Sequence, residues 1–207
     1  MTIKSPFLVI QDFLSRDDAI KLSSDVRIEL SKTDDEIIIP SERHIQDKES
    51  SLYEKLKEYI PQIEKHFGLK VRGVEHLMFQ QFPVSKDPAE QPQCANSLFK
   101  RKKWLKTRDR DLTAVLWLKD YKSESPFNLD ENVYGGKLEF KMYNFSFQPQ
   151  LGSLVIFPAG PQFIYATSRI LVGELQTVRL HIAAEGIYMY DPKNFPGDYT
   201  TWFNDIV

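Results

Sequence analysis

An α+β fold, with helices packed outside a sandwich or jelly roll of antiparallel strands, is what this sequence predicts. Two observations carry that expectation. Helical periodicity is confined to the first third of the chain, and from Gly68 onward strand-type runs follow one another between Gly, Pro, Asn and Asp. The chain has 207 residues, 42% hydrophobic and 13% aromatic, enough for one substantial core, so a single domain is expected over residues 1–207. Within it, residues 1–68 read as a helical buttress, 69–185 as the β core and 186–207 as an aromatic tail.

FLVIQDFLS, residues 6–14, is a short β-branched and aromatic run, and Ser15 with Asp18 then forms a helix-start signal that predicts a helix to about Leu30. Residues 31–50 are polar and turn-rich. Only IIIP at 37–40 interrupts them, as a short edge strand at most, because Pro40 cannot donate to a ladder. From Ser51 to Phe67, Leu52, Leu56, Ile60, Ile63 and Phe67 recur at helical spacing, with Pro61 as a kink or break. Six strand-like runs follow: VRGVEHLMFQQFPV, DLTAVLWLKDY, GGKLEFKMYNFSF, GSLVIFPAG, PQFIYATS and ELQTVRLHIAAEG.

Charge excludes some functions. The 27 basic and 29 acidic residues leave a net charge of -2, so no global field attracts nucleic acid or a membrane. The single cysteine, Cys94, rules out an internal disulfide and suits a reducing compartment. No apolar run approaches the roughly 20 residues of a bilayer span, so a soluble, cytoplasmic chain is expected. The stretch KRKKWLKTRDR, 100–110, sets Lys100, Arg101, Lys102, Lys103, Lys106, Arg108 and Arg110 around Trp104. It reads as a solvated loop, with Arg108 to Asp111 pairing among themselves, before it reads as a grip for an acidic protein patch. Nucleic-acid binding is the least expected use. The tail aromatics Tyr188, Tyr190, Phe195, Tyr199, Trp202 and Phe203 are expected to fold back on the barrel or to anchor a partner.

The succession FLVIQDFLS, RDRDLTAVLWLKDY, YGGKLEF, FQPQLGSLVIFPAGPQF and VGELQTVRLHIA resembles the prolyl-4-hydroxylase-like branch of the 2-oxoglutarate and Fe(II) dependent oxygenases, and within it the short members carried by tailed phages. The resemblance runs from Phe7 to about Ala184. It implies a double-stranded β-helix whose N-terminal helices buttress one sheet, and an iron held by two His and one carboxylate.

Carried over residue by residue, the resemblance puts the His-x-Asp positions on Gln93, Cys94 and Ala95 and the second His on Gln162, so all three ligands are replaced. No His, Asp or Glu stands between Gln91 and Lys106 to restore the pair after a register slip, and Glu90 is the nearest acid. Ala95 alone would fit a halogenase-like site, but such sites keep both histidines. Arg179 matches the arginine that pairs with the far carboxylate of 2-oxoglutarate, while Gly135, Gly136, Leu138 and Phe140 keep a framework strand.

Of the four histidines, His44 and His66 are expected in solvent, while His76 and His181 sit on strand faces that can line the barrel. Each is expected as a hydrogen-bonded residue rather than a ligand, and Cys94, without a base or second thiol nearby, as incidental.

The expectation that follows is a non-catalytic oxygenase-fold protein, with no iron or 2-oxoglutarate required and a vestigial anion pocket at Arg179; its location is the cytoplasm, or a virion if it is phage-encoded. Its partners would be proteins, among them other virion components or further copies of itself. Two alternatives stand beside it: an active Fe(II) and 2-oxoglutarate dependent hydroxylase of a peptide side chain, and a 2-oxoglutarate sensor without turnover.

Overall fold

The computed structural model describes residues 5–31, 41–43, 46–185 and 200–202. A first strand, β1 (Leu8–Ile10), leads into helix α1 (Arg16–Ser31). The helix starts where Ser15 and Asp18 cap it reciprocally: the Asp18 amide donates to Ser15 Oγ at 3.2 Å, and Ser15 Oγ donates to the Asp18 carboxylate at 2.6 Å. The IIIP run and His44 lie outside the described residues, while β2 (Ser41–Arg43) follows directly after Pro40.

Helix α2 (Gln46–Phe67) begins five residues before the expected start and runs through Pro61 without ending. Of the expected kink or break, the break does not occur. Leu52, Leu56 and Ile63 are buried on one stripe of the helix, and burial on both sides of Pro61 outweighs one lost backbone hydrogen bond.

The β region is cut more finely than six runs. The strands are β3 (Val71–Glu75), β4 (Met78–Phe82), β5 (Glu90–Gln93), β6 (Ser97–Lys100), β7 (Lys103–Lys106), β8 (Leu112–Trp117), β9 (Asp120–Tyr121), β10 (Asn132–Gly135), β11 (Leu138–Phe140), β12 (Phe145–Phe147), β13 (Leu154–Pro158), β14 (Tyr165–Thr167), β15 (Ile170–Val172), β16 (Leu175–Ala184) and β17 (Thr200–Trp202). One large sheet has the order β1-β13-β8-β16-β3-β17, with β4 also on β16 and β2 on β4. A four-stranded sheet, β12-β11-β14-β5, and a three-stranded one, β15-β10-β9, supply the facing layer. Gly135 separates β10 from β11: its φ is +102°, and a Cβ there would meet the Arg169 carbonyl oxygen at 2.2 Å, so only glycine fits.

Side-chain alternation divides the interior into two cores. On β16, Val178, Leu180 and Ile182 join Leu112, Ala114 and Leu116 of β8 and Leu154 and Ile156 of β13, packing with Leu22, Val26, Leu52, Leu56 and Ile63 of the helices. The opposite faces of the same strands, with Val115, Trp117, Val155, Phe157 and Leu175, meet Leu138, Phe140 and Tyr165 of the facing sheet. The helices therefore buttress one sheet, and the site lies on the other side of it. The result is the predicted α+β jelly roll. No helix among the described residues is long and apolar enough to cross a membrane.

Candidate functional site

On the inter-sheet face of β16, Arg179 and His181, 8% and 9% exposed, join no apolar core. They line a cavity of about 650 Å³. Its other walls are Tyr165 of β14, the segment from Glu90 through Ala95, the β3–β4 junction (Glu75, His76, Met78), and Leu98, Phe99 and Trp104 of the β6–β7 hairpin. Ser97, Thr107, Arg108 and Arg110 complete it.

The stretch expected as a solvated loop is thus the hairpin and one wall of a cavity. Phe99 pairs with Trp104 across the two strands, their ring centroids 5.2 Å apart, and both rings remain largely exposed. Nor do its charges pair among themselves as predicted. Arg110 takes Glu75 in two contacts of 2.7 and 2.5 Å, Arg72 pairs with Asp109, and only Lys106 with Asp111 (2.9 Å) stays local. In the large sheet β16 lies between β3 and β8, so Arg110, just before β8, meets Glu75 at the end of β3 only by reaching across β16, and proximity in space decides partners. Arg108 makes no ion pair among the described residues. Its pKa is lowered, chiefly by the like charge of Arg110 and then by burial.

Arg179 has a definite partner. Its guanidinium donates to Glu90 Oε1 at 2.5 Å, and both side chains are only 10% exposed. Around the same carboxylate converge Thr167 Oγ1 (2.6 Å), Gln93 Nε2 (3.0 Å) and, at the edge of bonding distance, Gln80 Nε2 (3.5 Å). Burial by itself would push the Glu90 carboxyl up; the charge of Arg179, with hydrogen bonds from Arg179, Thr167 and Gln93, outweighs it and holds the pKa below the ordinary value. The Tyr165 ring lies 5.4 Å from the guanidinium carbon on another side.

Gln93, Cys94, Ala95 and Arg179 are brought together round this cavity. Gln162 is not among its lining residues. It sits exposed in a short 3-10 turn, Pro161–Phe163, with its side-chain oxygen close to Gly160. The residue paired with Gln93 across the sheet is Tyr165, three positions further on. The Cys94 thiol donates to the Ala159 carbonyl at 3.4 Å, and the Ala95 carbonyl accepts from Arg110 at 3.2 Å.

Both wall histidines are engaged. His76 Nδ1 is 2.7 Å from a Glu49 oxygen, and His181 Nδ1 is 3.1 Å from Thr113 Oγ1. Burial, and then the charges of Arg110, Arg179 and Arg108, hold the His181 pKa well below its ordinary value. His66, outside the site, bonds the Ser5 carbonyl at 3.0 Å.

An iron site needs imidazole and carboxylate donors converging on one point in a field that tolerates a dication. Among the described residues no three His, Cys, Asp or Glu side chains form such a set, and three guanidiniums raise the local positive potential. The described lining of this cavity presents no such convergent set. The anionic partner that Arg179 has in the structure is Glu90.

Tyr165 and Glu90 are the site residues that sequence reasoning missed. A signal for Glu90 existed: a lone arginine on an inward strand face requires a carboxylate, and Glu90 is the last acid before a long stretch with none.

No protein-family model and no curated protein matches this chain. Solved structures do. The viral collagen prolyl hydroxylase of Paramecium bursaria Chlorella virus 1, in its 2OG complex, is 14% identical with a TM-score of 0.63, over 88% of this chain and 97% of that one. A truncated form of the same enzyme gives 13% and 0.62, over 87% and 91%. A Pseudomonas putida prolyl-4-hydroxylase gives 16% and 0.58, over 87% and 94%. The chain therefore has the double-stranded β-helix fold of the prolyl-4-hydroxylase-like 2-oxoglutarate oxygenases.

Proposed function

We propose that this chain is a non-catalytic member of the oxygenase fold and acts by binding a protein partner. One observation carries the reading: the arginine that would take the cosubstrate's carboxylate is held by the chain's own Glu90. Support comes also from the neighbouring wall, where Gln93, Cys94, Ala95 and Tyr165 offer an amide, a thiol, a methyl group and a phenol in place of a ligand set. A neutral amide is a weak ligand and does not hold Fe(II) against water. The resemblance to short phage-borne members extends the proposal to an assembly role in a virion. That extension rests on the sequence resemblance alone, because a fold does not fix a function.

The same cavity separates this proposal from the hydroxylase reading, which the names of the structural neighbours suggest. Anaerobic titration with Fe(II), followed by metal analysis and a 2-oxoglutarate turnover assay, is expected to give well under one iron per chain and no succinate. One iron per chain together with succinate production would overturn it.

A further inference from the structure

The four donors around Glu90 form a built anion site. The Arg179 guanidinium, the Thr167 hydroxyl and the Gln93 amide lie within 3.0 Å of its oxygens, and the Gln80 amide at 3.5 Å. Glu90 enters from β5, the strand beside β14, so the carboxylate is delivered by the fold. We propose that Glu90 is a tethered ligand that fills a carboxylate subsite at Arg179, and that free small carboxylates bind this cavity only when Glu90 is removed.

The argument is one of competition. A carboxylate fixed on the backbone beside its guanidinium acts at a high effective concentration, which a free acid must exceed. Displacing Glu90 would also strand it, nearly buried, away from its cation. Truncation to alanine removes a CH₂–COO⁻ unit, and acetate has the shape of that unit. Acetate is therefore the probe that should restore what Glu90→Ala takes away. The inference deepens the binding-protein reading by closing the inner cavity to 2-oxoglutarate, so that a partner must use its outer walls.

The test compares wild type, Glu90→Ala and Glu90→Ala with Arg179→Met, each melted in sodium acetate and in sodium chloride of equal ionic strength. In chloride, Glu90→Ala is expected to lose on the order of 10 °C in Tm, as for breaking a buried ion pair in a chain of this size. Acetate should raise its Tm saturably; wild type and the double variant should respond no differently to the two salts. If Glu90→Ala is unfolded in chloride, the readout becomes recovery of the folded circular dichroism spectrum in acetate. Calorimetry of the wild type with 2-oxoglutarate should give no binding heat.

A wild-type binding heat that Arg179→Met abolishes would overturn the proposal, and so would a Glu90→Ala protein that responds equally to acetate and chloride. Neither result involves turnover. Succinate production, by contrast, counts against the non-catalytic reading and leaves the acetate result to be judged separately.

Discussion

His181 is the residue whose titration should be visible in the stability of the whole protein. Its folded pKa is depressed, first by burial and then by Arg110, Arg179 and Arg108, whereas in the unfolded chain it protonates near its ordinary value of about 6.5. Below that pH the unfolded state binds a proton that the folded state does not. Stability contributed by neutral His181 is therefore complete above about pH 6.5 and falls as the solution is acidified, by up to roughly 1.4 kcal/mol per pH unit. Urea midpoints at pH 7, 6 and 5 should show this slope, and His181→Asn should flatten it. The window lies above the range where most carboxylates protonate, so Glu90 does not obscure the comparison. An unchanged slope in His181→Asn would assign the acid sensitivity to another group.

At the scale of elements, α2 carries a penalty that its burial conceals. Pro61 is exposed and lies inside the helix, where it removes one i to i−4 hydrogen bond and crowds the preceding turn. Pro61→Ala should restore that bond without disturbing Leu56 or Ile63, raising stability by roughly 1–3 kcal/mol, measurable by urea denaturation. A loss of stability would show that the proline is fitted to a bend the helix needs. The β6–β7 hairpin turns through Arg101 and Lys102, both at positive φ (50° and 62°), the geometry of a tight two-residue hairpin connection. Neither residue favours that conformation, so the turn was not legible from local propensity. The pairing of Ser97–Lys100 with Lys103–Lys106 decides it.

For the whole molecule, the sheet centred on β16 separates two cores with different tasks. Ile156 and Phe157 are neighbours on β13 and both fully buried, yet Ile156 packs toward the helices and Phe157 between the sheets, its ring 5.2 Å from Tyr165. Ile156→Ala should cost about 2–5 kcal/mol and Phe157→Ala about 3–5 kcal/mol. Only the second should alter the cavity, because only that side chain supports the ring stacked near Arg179. The near-ultraviolet circular dichroism of the two variants, compared under conditions where both are folded, checks this. Equal changes at Tyr165 in both would mean that the two cores are not mechanically separate.

The two helices and the longer strands were legible from residues alone because periodicity is a local property. The cap at Ser15 and Asp18, the stripe of Leu52, Leu56 and Ile63, and the alternation of β16 each lie within one segment. Alternation also placed His181 on the face of Arg179, while Arg179 itself was singled out by the family resemblance. The partner of Arg179 was not legible, since Glu90 is 89 positions away and reaches it only because β5 pairs with β14. That Tyr165 lies opposite Gln93, while Gln162 stays in the preceding turn, likewise depends on where a 3-10 turn ends and the strand begins. The sequence by itself determined two helices packed on a sandwich or jelly roll of strands, because these follow from side-chain spacing, and its resemblance to a family singled out Arg179 as an arginine that pairs with a carboxylate. Only the tertiary structure decided that the anion is the chain's own, because cross-strand register sets which distant residues share a cavity.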